Sequence, residues 1–175
     1  AAGAFALSEN SLYTTDAWEL FMDRLQEGGI LSVTRYYRTQ DANGAPVEPL
    51  ETYRTLALAS DVLTERGVED PRQHIVAYQA RTGFPGVDLA TVLVSPDRLS
   101  SSDLEIVADT SAGLGFTPLL TPTVAADPLL EALTARGGPS DALDEVDADI
   151  SPPTDDRPFF FQMADVGTFL GGDIG

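Results

Sequence analysis

Cysteine is absent from the 175 residues, which excludes a disulfide framework, a thiolate metal site and a cysteine nucleophile. Lysine is absent too, and all 10 basic residues are arginine. The single histidine, His74, excludes most multi-histidine metal sites and leaves a His-based triad one candidate. No apolar run approaches the roughly 18 residues that a membrane-spanning helix needs. No charged stretch precedes an apolar one near Ala1, so no signal segment is expected. The dinucleotide, P-loop, zincin and nucleophile-elbow signatures are all missing. The glycine pairs at 28–29, 137–138 and 171–172 end helical or tail segments and do not join a strand to a helix.

Negative charge is what the chain has in excess. Its 28 acidic residues against 10 arginines give a net charge of −18. A surface of that sign repels phosphate backbones and anionic lipid, so no nucleic-acid partner is expected. Arginine in place of lysine fits a GC-rich coding sequence. Adaptation to high internal salt, where self-repulsion is screened, is the sharper alternative. Residues 101–175 hold 14 acids and 2 arginines, against 14 and 8 in residues 1–100, so the C-terminal part is the more strongly solvated.

Thr14 or Thr15 offers an N-cap, Asp16 suits the first turn, and Ala17, Trp18, Phe21, Met22 and Leu25 repeat at helical spacing before Gly28. Residues 30–36 read as a buried strand. Asn43-Gly44 and two prolines mark a loop over 41–49, and a second helix runs from Pro49 to Arg66. Strands are expected at 73–79 and 90–95, separated by a long turn over 82–86. A capping box at Ser102 and Glu105 opens a third helix, and a short helix starts at Asp127-Pro128. The alternation of helix and strand points to α/β layering. Five acids over 141–149 read as a solvated loop; Asp144-Glu145 lacks the glycine and alternating ligands of a calcium loop. His74, at a strand start, reads as structural.

Two stretches carry more information. One is Ser8-Glu9-Asn10-Ser11-Leu12-Tyr13-Thr14-Thr15-Asp16-Ala17-Trp18, which leads through a helix to Gly28-Gly29-Ile30-Leu31-Ser32. The other is Ser151-Pro152-Pro153-Thr154-Asp155-Asp156-Arg157-Pro158-Phe159-Phe160-Phe161. Together they resemble the spermidine synthase-like (polyamine aminopropyltransferase-like) family, and most closely its bacterial branch joined to membrane-spanning segments. The resemblance covers nearly the whole chain and is weakest from 121 to 149.

The resemblance implies the C-terminal half of a class I methyltransferase-like (Rossmann-like) three-layer fold with a terminal antiparallel β-hairpin. Residues 30–36 would be its fifth strand and the strands at 73–79 and 90–95 the hairpin. Residues 1–120 would form this half-domain and 121–150 an acidic helix-loop insertion. Residues 151–175 would be a tail packing back on the domain or leading to a membrane segment. The family's cofactor loop, ribose-binding acid and catalytic aspartate belong to strands upstream of Ala1. The resemblance therefore implies no cofactor-binding, catalytic or metal residue in this chain. S-adenosylmethionine or its decarboxylated form is implied for the full domain.

Substrate-lining candidates sit at the expected ligand edge of the sheet. They are Glu9, Asn10 and Tyr13 after the fourth strand, Thr34, Arg35 and Tyr36 on the fifth, and Phe84 in the hairpin turn. An arginine there suits an anionic or planar partner; the alternative is pairing with Asp41 or Glu48. Thr34 and Phe84 stand where polyamine-making members carry a glutamine and an aromatic hydroxyl, contacts that help hold a diamine. Thr154, Asp155, Asp156, Arg157 and Pro158 form a structural motif, an Asx-type turn with an internal Arg–carboxylate pair that clasps the tail to the sheet. The phenylalanines after it need a surface to dock on, either this domain or a membrane domain of the parent protein.

Three readings follow. The chain is part of an aminopropyl- or methyltransferase, inactive without its N-terminal half. Or it is a non-catalytic regulatory or structural domain of a membrane protein, facing the cytoplasm of a bacterium or archaeon. Or it is a stand-alone α/β binding module. Under the first reading the partner is the missing half, and the exposed edge of strand 30–36 invites a homodimer in its absence.

Overall fold

The computed structural model describes residues 11–163. Helix α1 spans Thr15–Arg24, strand β1 Leu31–Arg38, helix α2 Leu50–Glu65, strand β2 Ile75–Phe84 and strand β3 Val87–Val94. Helix α3 (Ser101–Gly113), strand β4 (Thr117–Leu120) and helix α4 (Pro128–Leu133) complete the regular elements, with 3₁₀ turns at Pro71–His74 and Ser140–Glu145. The fold is α/β.

The sheet order is β1-β3-β2-β4, and every neighbouring pair is antiparallel. β1 and β2 therefore run in the same direction one place apart, joined by α2, with β3 running backward between them. The hairpin is tighter than expected, because β2 continues to Phe84 through a register shift between Ala80 and Phe84. Pro85 and Gly86 alone make the turn. Gly86 has φ of +67°, and a Cβ there would overlap the side chain of Gln40.

α2 is the central helix. It packs on β1, β3, α1 and α4, and Leu56, Leu58, Val62 and Leu63 on it are fully buried. Alternation along β2 sends Ile75 and Ala77 into this main core, while Val76 and Tyr78 meet Leu99, Leu104, Val107 and Phe116 beneath α3. The hairpin thus has helices on both faces. β1 differs from the expected buried strand: Leu31, Val33 and Tyr37 pack on the core, whereas Ser32, Thr34, Tyr36 and Arg38 are exposed. No helix among the described residues covers that outer face.

Local chemistry explains the element ends. The Thr14 hydroxyl accepts from the Ala17 N–H at 3.2 Å and caps α1. Trp18 is buried, and its Nε1 donates to the Leu12 carbonyl at 3.1 Å. The cap of α3 lies two residues earlier than expected. Ser100 and Asp103 form the reciprocal box, because Ser101 and Ser102 are already helical. β4 was not expected; its Leu119 and Leu120 are buried, but four residues are too few to show a period. Part of the acidic stretch, Ser140–Glu145, is a 3₁₀ turn around the buried Ala142, and Asp141, Asp144, Glu145 and Asp147 are exposed as expected. Leu129, Leu130, Leu133 and Ile150 share the main core with α2. No helix among the described residues is long and apolar enough to cross a membrane.

Candidate functional site

Arg35 lies on the core side of β1, where its guanidinium stacks on aromatic rings. The guanidinium carbon lies 3.9 Å from the Tyr13 ring centre, 5.2 Å from Phe161 and 5.6 Å from Phe160. The rings also meet one another: Tyr13 and Phe160 at 4.7 Å, Phe160 and Phe161 edge to face at 5.2 Å. A desolvated guanidinium over such faces is held by the ring quadrupoles, an attraction of roughly 1–2 kcal/mol per good pair. Among the described residues, the Glu51 carboxyl on α2 feels the charge of Arg35, and no ion pair joins Arg35 to Asp41 or Glu48. Burial pushes the Glu51 carboxyl above its usual range, although Arg35, Arg38 and the Tyr36 N–H pull the other way. Its Oε2 is buried without a hydrogen-bond partner. A recess of about 460 Å³ opens beside it, lined among others by Tyr36, Arg38, Asp41 and Glu48.

Of the other expected site residues, Tyr36 reaches the recess from the outer face of β1, and Thr34 and Phe84 do not gather there. Thr34 points to the opposite face of β1 and shares a 2.8 Å hydroxyl contact with Thr91. Tyr36 is 51% exposed on that same face, and Phe84 is 73% exposed beside the hairpin turn. Period-two alternation separates Thr34 and Tyr36 from Arg35. Glu9 and Asn10 lie outside the described residues.

The Thr154–Pro158 motif is tied to the start of α1. The Thr14 hydroxyl donates to Asp155 Oδ1 at 2.7 Å, and the Asp155 N–H donates to Asp16 at 3.0 Å. The Thr15 N–H donates to the Pro153 carbonyl at 2.9 Å. One hydroxyl thus caps the helix and holds the tail. The Arg157 N–H donates to the Thr154 carbonyl and closes the turn, but the Arg157 guanidinium has no carboxylate partner among the described residues. The internal Arg–carboxylate pair expected of the motif is therefore not formed, and Asp155 is spent on Thr14.

Arg54 organises the rest of the tail. Its Nε donates to the Ser151 carbonyl at 3.1 Å, and its Nη1 donates to the carbonyls of Phe159, Phe160 and Gln162 at 2.9, 2.7 and 3.1 Å. Its Nη2 lies 3.1 Å from Asp149 Oδ2. Burial lowers the pKa of Arg54, and Asp149 raises it again. Burial also works to raise Asp149, but two hydrogen bonds from Ser151 and the nearby Arg54 outweigh it and hold that carboxyl below its usual range. A cavity of about 320 Å³ lies between this cluster and the motif. Sequence reasoning missed Arg54, Glu51 and Asp149. The signal for Arg54 was there: it shares a helix face with Leu50, Ala57 and Leu58, at i−4, i+3 and i+4, where a charge needs buried partners.

No protein-family model matches the chain, and neither a curated protein nor a solved structure is significantly similar to it.

Proposed function

We propose that the chain is the C-terminal part of an α/β domain resembling the spermidine synthase-like S-adenosyl-dependent transferases. In this reading it transfers an aminopropyl or methyl group only together with an N-terminal, cofactor-binding half. The observation that carries the reading is topological. β1 and β2 run in parallel around α2 with a reversed strand between them, and the outer edge of β1 pairs with no strand among the described residues. That edge carries the apolar Leu31 and Val33, and its charges are Arg35 and Arg38. Further strands added there would turn the carboxyl end of β1 into the rim of a ligand crevice. Arg35, Tyr13 and Glu51 would then form one wall of it, with S-adenosylmethionine or its decarboxylated form held by the added half.

A specific observation favours a second reading, a non-catalytic domain, whose attachment to a membrane protein comes from the resemblance alone. Arg35 stacks on rings, Thr34 is engaged with Thr91, and Phe84 is 73% exposed beside the hairpin turn.

Calorimetric titration of S-adenosylmethionine and its decarboxylated form separates the two readings, using the chain alone and the chain extended upstream. The transferase reading expects no binding by the chain alone and micromolar binding by the extended protein. A dissociation constant below roughly 10 μM for the chain alone, about −7 kcal/mol, overturns the need for another half. No binding by the extended protein leaves the non-catalytic domain standing.

A further inference from the structure

The cavity of about 320 Å³ beneath the tail has two arginines in its wall, Arg54 and Arg157, and one carboxylate, Asp149. Arg54 and Asp149 neutralise each other at 3.1 Å, so the guanidinium of Arg157 is the surplus charge. No carboxylate among the described residues pairs with Arg157, and its place in the cavity wall sets it apart from the other unpaired arginines. Of the two acids just before it, Asp155 is turned to Thr14, and Asp156 makes no ion pair with it. Arg157 also lies close enough to Arg54 to help lower its pKa, so the two cations repel across the cavity.

Their hydrogen-bonding capacity differs. Arg54 spends its donors on four carbonyls and Asp149, and contributes only its field. Arg157 is exposed, and its planar fork suits a carboxylate or similar oxyanion. The remaining wall includes Pro152, Pro153 and Phe159, which are apolar, and the two prolines are stiff. The volume is at the small end of the roughly 300–1,000 Å³ typical of ligand pockets.

We propose that this cavity binds a small organic anion, its oxyanion head on Arg157 and its compact apolar body against Pro152, Pro153 and Phe159. The site stands apart from Arg35 and does not depend on the transferase reading. A positive cavity in a surface of charge −18 also has a selective use. The surrounding field repels large polyanions and leaves entry to small monoanions.

The test is a titration of the full chain, in low-chloride buffer, with benzoate, its neutral isostere benzamide, and inorganic phosphate. Benzoate should bind saturably, and at least about tenfold more tightly than either of the others, a difference of about 1.4 kcal/mol. Arg157→Gln should weaken benzoate by a similar factor with an unchanged circular dichroism spectrum, and Arg136→Gln should leave it unaltered. Equal binding of benzamide, or unaltered benzoate binding by the Arg157→Gln protein, overturns the assignment of the head. Phosphate binding as tight as benzoate overturns the apolar body. No saturation by about 10 mM benzoate overturns the site.

Discussion

Replacing Arg54 with methionine tests how the tail is held. Methionine keeps about the length of the aliphatic stem and fills irregular space, so the main loss is the guanidinium. Four backbone carbonyls, those of Ser151, Phe159, Phe160 and Gln162, lose a charged donor at once. Asp149 keeps its Ser151 bonds but loses its counter-ion. Removing one partner of a buried ion pair costs about 3–5 kcal/mol. Asp149 is 39% exposed, so water relieves part of its penalty and the lower end, about 3 kcal/mol, is expected. For a chain of this length that is a fall in Tm of about 6–12 °C. Urea unfolding followed by Trp18 fluorescence measures it, with the Arg54→Met/Asp149→Asn pair as a second arm. The double variant removes the stranded charge and should recover at least about 1 kcal/mol of the single variant's loss. A loss below about 1 kcal/mol for Arg54→Met would refute the view that Arg54 anchors the tail.

Two further outcomes are expected. Ser100→Ala should cost about 1 kcal/mol through loss of the α3 cap, whereas Ser102→Ala, one residue into the exposed helix, should be near neutral; chemical unfolding of both distinguishes the caps. Glu51 has a folded-state pKa raised by burial, so its charged form is disfavoured on folding, and the protein loses stability as pH rises from the unfolded value through the folded one. Glu51→Gln should therefore raise Tm at pH 7 and leave it little changed at pH 4, in melts that compare both proteins at both values.

The sequence made most elements legible where local chemistry decides them. Thr14 with Asp16 marked the start of α1, and the glycine after Arg66 marked the end of α2. It failed where tertiary contacts decide. Ser100 and Ser102 each have an acid three residues on, at Asp103 and Glu105, and only the position of Leu99 against the second core selects the former. β1 read as buried because its residues are β-branched and aromatic, yet only every second one packs on the core. At the site, Tyr13 and Arg35 were chosen on fold-edge grounds and do meet. Their contact with Phe160 and Phe161 was not visible, because 125 positions of chain separate Arg35 from Phe160.

The same long-range contacts join features that read as separate along the chain. Arg54 holds the Phe160 carbonyl at 2.7 Å, and the Phe160 ring lies 4.7 Å from Tyr13, which stacks on Arg35. The Thr14 hydroxyl, next to Tyr13, binds Asp155 in the same tail. The tail therefore reaches β1 through two fastenings, one on α2 and one on the cap of α1. Releasing either should loosen the aromatic stack, although neither fastening touches Arg35. The stack is thus a property of the tail as much as of β1.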